Sequence, residues 1–431
     1  MKRIALTLSF CAFSAVAFGQ STNALQSLTL SEAEKIALKY HPQIARANYL
    51  SLAAQEAVNE TRAGYFPTAN LYANVVGANE EGTRIMAGNL NNPSVYDRGA
   101  IGVQVNQLIT DFGHTANLTA SSKYQARSES QNANATREQV LLQVDVNYFE
   151  AVQAQAVLGV AQQTLDTRKT LLNQITALAT NKLRSELDVS FAQVQVQQAR
   201  LLVERAQNDA DAAMATLSTA LGYSEFHNFQ LTEQTPATNT VAAGVDDLVQ
   251  TALSHRPELL SLRDARDAAQ HFAKSQRDAR LPTIDAVGVA GDAPWHNSHL
   301  PDDYAAGGLQ LSLPVFAGGF YVARQREAEL RAQADDELLR SVENNVIRDV
   351  RIAWLDVNDA LEQLQTSEEL TVNATEAFSL AQARYQSGLS SIVELSDAQL
   401  NLTSAQISEA NARYNVLIQQ ANLNYQTGMI Q

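Results

Sequence analysis

Cysteine is almost absent from this sequence: among 431 residues it occurs once, as Cys11. Cys11 lies in an N-terminal stretch that opens with two basic residues and continues as an apolar run, the composition of a secretory signal peptide. We therefore predict a signal peptide over residues 1–19, cleaved after Ala17 or after Gly19. Without Cys11, the mature chain would have no disulfide and no thiol chemistry.

Basic residues and long apolar runs are also scarce. The sequence has 31 Lys and Arg against 46 Asp and Glu, which gives a formal net charge of -15. Such an acidic chain does not suit nucleic acid, whose binding depends on neutralising phosphates. After the predicted signal peptide, no segment reaches the ~18 apolar residues that a membrane-spanning helix needs. An exported chain of this kind is therefore periplasmic, secreted, or placed in the outer membrane by β-strands.

The remainder of the chain is an internal duplication. His41-Pro42 recurs as Arg256-Pro257, and later Gly222 recurs as Gly428 at a slightly shorter offset. The offset shortens between two predicted strands, so the first hairpin loop is the longer one. Two copies of one supersecondary unit are predicted. The first repeat covers 20–234, a linker covers 235–244, and the second repeat covers 245–431.

Each repeat contains two segments in which apolar and polar residues alternate, which is typical of barrel strands with a polar lumen. A single-chain barrel needs about eight strands, and unpaired edges do not lie in lipid. Either the strands do not span a membrane, or several chains share one barrel. Two chains would fill the lumen with side chains, and three would leave room for a pore. The predicted strands lie at about 66–79, 100–110, 282–291 and 305–315.

Long helices follow each strand pair. Apolar residues recur at every seventh position, as in Val144, Ala151, Leu158, Leu165 and Leu172, and this spacing predicts supercoiled helix pairs. Each return helix is about half as long as its partner, so the helix that precedes the strands must complete the pairing. The predicted long helices lie at about 114–180, 185–221, 320–387 and 391–426.

Two sharp turns join these long helices. In the second turn, Gly388 can adopt the left-handed conformation that ends a helix. Ser391 can cap the next helix, with Glu394 as its capping-box partner. In the first turn, we expect Asn181 to take the left-handed conformation, and Ser185 to act as the cap.

The second turn resembles the periplasmic tip of the TolC family of outer-membrane efflux and secretion ducts. That family has a Tyr-x-x-Gly turn followed by two acids one helical turn apart, here Tyr385, Gly388, Glu394 and Asp397. The resemblance implies a mixed α and β fold, in which a homotrimer shares a 12-stranded transmembrane barrel above a long coiled-coil helical barrel. It also implies an outer-membrane location, with the helices in the periplasm.

The same resemblance implies partners and site residues. The duct would receive cargo from an inner-membrane transporter through a periplasmic adaptor, in a tripartite efflux system or in type I secretion, and the cargo could be drugs, metals or secreted proteins. The adaptor would dock on the tips, at Lys182, Leu183, Gly388 and Leu389. The periplasmic gate would consist of Glu394, Asp397, Asp188 and Tyr385. Some family members have a gate-locking arginine where this chain has Ser390, and Glu394 is equally explained as a helix cap.

Other functions find less support in the sequence. Asp111-Phe112-Gly113 matches one kinase motif, but the accompanying motifs are missing, so we interpret it as a strand-to-helix turn. The residues His296, His299, Asp302 and Asp303 fit a solvated extracellular loop better than a metal site. No catalytic constellation or cofactor motif is found, so we expect neither an enzyme nor a bound cofactor. The alternative hypothesis is a periplasmic coiled-coil adaptor or scaffold without a pore.

Overall fold

The computed structural model describes residues 26–80, 82–84, 94–232 and 244–430. The predicted signal peptide and most of the predicted linker lie outside these residues. The helices are α1 (Leu30–Tyr40), α2 (Pro42–Ala63), α3 (His114–Thr180), α4 (Glu186–Ala220), α5 (Val245–His255), α6 (Pro257–Asp278), α7 (Phe320–Gln386) and α8 (Ile392–Thr427). The strands are β1 (Gln26–Leu28), β2 (Thr68–Val76), β3 (Thr83–Arg84), β4 (Ser94–Val95), β5 (Arg98–Thr110), β6 (Phe229–Leu231), β7 (Thr283–His296) and β8 (Asp303–Ser312).

The two halves repeat the same order of elements: two short helices, a strand pair, a long helix and a return helix. Helices α3 and α7 each contain 67 residues. At a rise of ~1.5 Å per residue, each is roughly 100 Å long. The fold is thus mixed α and β and mainly helical. Within the described residues, none of the helices is sufficiently long and apolar to span a membrane.

The four long strands form one antiparallel sheet in the order β2-β5-β7-β8. Its register places apolar residues on one face, where Leu71 pairs with Val103, and polar residues on the other, where Asn70 pairs with Gln104. Strand β8 ends at Ser312 instead of 315, because Pro314 has no N–H for the ladder. Strands β2 and β8 have no further partner within the described residues, so the sheet has two free edges.

Each long helix packs against two shorter ones. Helix α3 contacts α4 and α2, and α7 contacts α8 and α6. Helix α6 also lies along α3 and so joins the two repeats. This joint is polar: the Ser128 and Ser261 hydroxyl oxygens lie 3.0 Å apart, and Asn117 Nδ2 donates to Asp278 Oδ2 at 2.7 Å.

The predicted apolar seam of α3 is only partly buried. Val144 and Ala151 are buried, but Leu158 and Leu165 are half-buried. Toward the end of the helix the buried positions are instead Ala161, Thr164, Arg168 and Ile175. A helix with 3.6 residues per turn drifts relative to a strict seven-residue repeat, so a different set of side chains faces the partner helix near the turns.

Strands β1 and β6, together with α1, form what we call the collar, at the junction between the short helices of the first repeat and α4. Strands β1 and β6 pair in parallel there, and the Tyr148 hydroxyl, which is buried, donates to the Leu28 carbonyl oxygen at 2.9 Å. Gly222 has φ +90°, and a β-carbon there would lie only 3.0 Å from the His41 α-carbon and 3.1 Å from the Tyr40 carbonyl oxygen. Gly428 meets Arg256 in the same way in the second repeat, so the duplication extends to the helix junctions.

Candidate functional site

The first helix turn, between α3 and α4, contains an unexpected left-handed residue. Leu183 N–H donates to the Leu178 carbonyl at 2.9 Å, and this closing bond places Lys182 in the left-handed region at φ +59°. Asn181 was predicted to take this conformation, and that prediction is wrong: its φ is -86°. The Asn181 amide instead donates to the Ala177 carbonyl at 2.8 Å, which stabilises the last turn of α3.

The second turn, between α7 and α8, closes in the same manner. Leu389 N–H donates to the Arg384 carbonyl at 2.8 Å, and Gly388 is left-handed at φ +77°, as predicted. Leu183 and Leu389 stand at equivalent points of the two turns, and their exposed fractions are 68% and 72%. Each turn therefore presents one apolar side chain to solvent, directly after a left-handed residue, which is Lys182 in the first turn and Gly388 in the second.

The cap of α8 is confirmed, but the capping box is not. Ser391 Oγ accepts the Glu394 N–H at 3.3 Å, as predicted. The Glu394 carboxylate does not return to the backbone of Ser391; it lies 3.1 Å from Arg384 Nε in an ion pair. A charge-assisted bond to a guanidinium is stronger than a bond to a neutral amide, so the carboxylate takes the former. Both side chains are about half-exposed, which makes this pair a weak tie.

Arg184 links the two turns, and sequence reasoning missed it. Its guanidinium lies 4.3 Å from the centroid of the Tyr385 ring and donates to the Tyr385 carbonyl. Cation–π contact and a hydrogen bond to the same residue hold the first turn against the second. The available signal was a lone arginine placed just before the cap Ser185, but nothing in the sequence indicates its distant partner.

Tyr385 is the buried centre of the tips, with only 2% of its surface exposed. It packs with Ile175, Ala192 and Leu395, and its hydroxyl has no hydrogen-bond partner among the described residues. Burial raises the pKa of the Tyr385 hydroxyl, and the nearby Asp188 carboxylate adds to the rise, while Arg184 opposes it. The structure therefore brings the predicted gate residues Tyr385 and Asp188 together.

The other two predicted gate acids point away from this core. Glu394 and Asp397 are exposed and lie one turn apart on one face of α8. Near the two helix turns, which we call the tips, a groove of about 490 Å³ runs between α3, α7 and α8. Its lining includes Thr170, Gln174 and Phe378. The tips thus combine an acidic face, exposed leucines and an open groove.

The remaining candidate residues make local contacts. Asp111 accepts the N–H groups of Gly113 and Thr115, at 3.2 and 2.7 Å, so this motif is a strand-to-helix turn. His296 Nε2 lies 2.8 Å from Asp302 Oδ1, whereas His299 stacks on Tyr96. Among the residues that the structure describes, no group of three or more such side chains is arranged to hold a metal ion.

Comparisons with known proteins cover nearly the whole chain. The sequence model of a family described as outer membrane efflux protein matches residues 35–223 and 248–428. The outer membrane protein TolC of Escherichia coli K12 is 26% identical over 428 residues, which span 93% of this chain and 84% of that protein. TolC of Vibrio cholerae is 24% identical and spans 97% and 94%. The solved structure of the outer-membrane channel OprN shares the fold, with a TM-score of 0.79 at 17% identity, and covers 93% of this chain and 89% of that one.

Proposed function

Because this chain belongs to the outer membrane efflux protein family, it is an outer-membrane channel for efflux, and we propose that three copies of it form one closed duct. The free edges of strands β2 and β8 support this proposal, since unpaired edges are not stable in lipid. Three four-stranded sheets joined edge to edge make a 12-stranded barrel, which is wide enough for a pore. The apolar face of the sheet would contact lipid, and the polar face would line the lumen.

The helices would continue the duct into the periplasm. A channel of this kind has no energy source of its own, so an inner-membrane transporter and a periplasmic adaptor would deliver its cargo, in efflux or in type I secretion. The exposed Leu183 and Leu389, beside the left-handed Lys182 and Gly388, support docking of the adaptor at the tips. A periplasmic scaffold without a pore is not favoured, because it would not need an amphipathic sheet.

The gate would lie at the tips. The observation that carries this part of the proposal is the pair of exposed acids on one face of α8. The same helix turn carries Leu395, which packs with the buried Tyr385. Threefold symmetry would bring the three copies of Glu394 and Asp397 around one axis. Closely spaced carboxylates favour any cation that neutralises them, and their field attracts cations. Arg384 neutralises part of the Glu394 charge, so Asp397 is the freer acid.

A planar-bilayer recording tests the gate. Wild type should prefer cations and be blocked by a trivalent cation added on the periplasmic side, and the Glu394→Gln, Asp397→Asn double variant should lose both properties. Arg384→Gln should instead increase the preference for cations, because it releases the Glu394 carboxylate from its ion pair. If block and selectivity persist in the double variant, the gate lies at another site and Glu394 only ends a helix.

A further inference from the structure

A row of four aligned residues crosses the β-sheet on its polar face. Tyr72 pairs with Gly102, Gly102 with Gly291, and Gly291 with Tyr304. Paired residues of an antiparallel sheet project to the same face, so all four lie on the side that carries Gln104. Two glycines thus occupy the middle of the row, and a tyrosine stands at each end, on the two edge strands.

The two glycines form a furrow in the sheet, and the side chain of Tyr304 fills it. A β-carbon at Gly102 or at Gly291 would overlap with the Tyr304 hydroxyl oxygen. Backbone also lies close, since the Ala290 carbonyl oxygen would be 3.0 Å from a β-carbon at Gly102 and the Ile101 carbonyl oxygen 2.5 Å from one at Gly291. Gly102 is therefore the position where a methyl group meets mainly the phenol. The ring carbon Cζ would lie 3.1 Å from the β-carbon at Gly102 and 2.5 Å from the one at Gly291. The phenol therefore lies flat across β7 and reaches β5, which is possible only because both positions lack a side chain.

This arrangement is specific to the glycine pair. Gly308, on the same polar face and on the same strand as Tyr304, has open space where a β-carbon would stand. Gly288, on the apolar face, also has no atom within 4 Å of that point. Tyr304 itself remains 38% exposed, so one side of its ring still faces away from the sheet. Among the glycines of the four-stranded sheet, only Gly102 and Gly291 would have a β-carbon closer than 3.4 Å to another atom.

We propose that Tyr304 sets the width of the lumen at this level of the barrel, and that the Gly102–Gly291 furrow holds its ring against the wall. The inference rests on the proposed duct, in which the polar face of the sheet turns inward. With the phenol in the furrow, the wall is flat and the passage is open. If the ring is expelled from the furrow, the sheet blocks it on one side, so it must project into the lumen. The three Tyr304 rings of the trimer would then narrow the passage for bulky cargo.

Single-channel conductance in planar bilayers tests this inference with a matched control. Gly102→Ala should lose conductance, because its methyl group takes the place of the phenol oxygen. Gly308→Ala adds the same methyl group to the same face without a contact, and it should conduct as wild type does. Adding Tyr304→Ala to Gly102→Ala removes the expelled ring and should restore the conductance. A Gly102→Ala channel with wild-type conductance, or a double variant as low as the single one, would overturn the inference.

Tyr304→Trp keeps both glycines and is informative if Gly102→Ala does not assemble. The indole is too large for the furrow and should stand in the lumen, so this variant should also lose conductance. A wild-type conductance from Tyr304→Trp would reject the role of Tyr304 while leaving the duct intact. Absence of any conductance from wild type would instead reject the proposed duct, and the inference with it.

Discussion

At the scale of single residues, α3 carries a buried acid, Asp145, whose pKa is raised. Asp145 on α3 is 7% exposed and lies near Glu34 on α1. Burial, and then the neighbouring Glu34, raise the pKa of Asp145 to about 7. Lys35 lies near Glu34, and α8 has no charged side chain from Tyr414 onward. Asp145 Oδ1 has no partner among the described residues, so little compensates a negative charge there.

Asp145 should make the stability of the helical part dependent on pH. A carboxyl whose pKa is raised on folding stabilises the fold fully below its unfolded value near 4, and this contribution is lost as the pH rises through about 7. Asp145→Asn should remove this dependence and stabilise the protein at pH 8 by roughly 1–3 kcal/mol. Thermal unfolding followed by helix circular dichroism at pH 5 and pH 8 measures the effect.

The exposed Asp166, on the same helix, is the control: Asp166→Asn should shift both melting temperatures little, since its pair with Lys169 is exposed. An Asp145→Asn protein that retains the wild-type difference between pH 5 and pH 8 would show that Asp145 is not the source of the pH dependence.

At the scale of elements, the two helix turns differ in how they reach the same backbone geometry. Gly388 has free space around its missing β-carbon, so Gly388→Val meets only the left-handed backbone penalty of ~1–2 kcal/mol. We expect Gly388→Val to lower the stability of the tips by this amount and to weaken adaptor docking. Thermal unfolding and cross-linking to a co-expressed adaptor measure the two effects.

Lys182 provides the matched variant, because it is left-handed with a side chain. Lys182→Gly removes the steric penalty, although it adds flexibility to the unfolded chain, and it should not destabilise the first turn. Unchanged cross-linking and efflux in a well-folded Gly388→Val protein would argue against docking at the second turn.

At the scale of the whole molecule, the four-stranded sheet leaves an apolar face and two edges uncovered within the described residues. Its apolar face exposes Leu71 and Leu309, at 69% and 76%, and its edge strands β2 and β8 are free within the described residues. Burial of apolar surface and pairing of both edges favour an assembly in which each chain joins two others. We expect the protein to require detergent for extraction and to have the mass of a trimer by light scattering in detergent. A stable monomer in detergent, or full solubility without it, would contradict the shared barrel.

The sequence by itself determined the features that depend on neighbouring residues. Proline at Pro42 and Pro257 begins two helices, because a first-turn N–H has no partner to lose. Gly388 and Ser391 define the second turn through their own backbone and hydroxyl preferences. The alternation of apolar and polar residues along β5 identified a strand with one apolar face and one polar face. Internal duplication then indicated that the second half repeats the first, and the resemblance of the tip indicated the family.

Only the tertiary structure decided which distant side chains meet. Glu394 turns from its expected capping bond to Arg384, and Arg184 stacks on Tyr385, which is some two hundred residues away in the chain. The buried face of α3 shifts to Arg168, and Tyr304 lies over Gly102 across an intervening strand. The conformational preferences of single residues cannot indicate such contacts. Each contact depends on how the buried face of a helix rotates along its length, on strand register, and on the packing of segments that only the folded chain brings together.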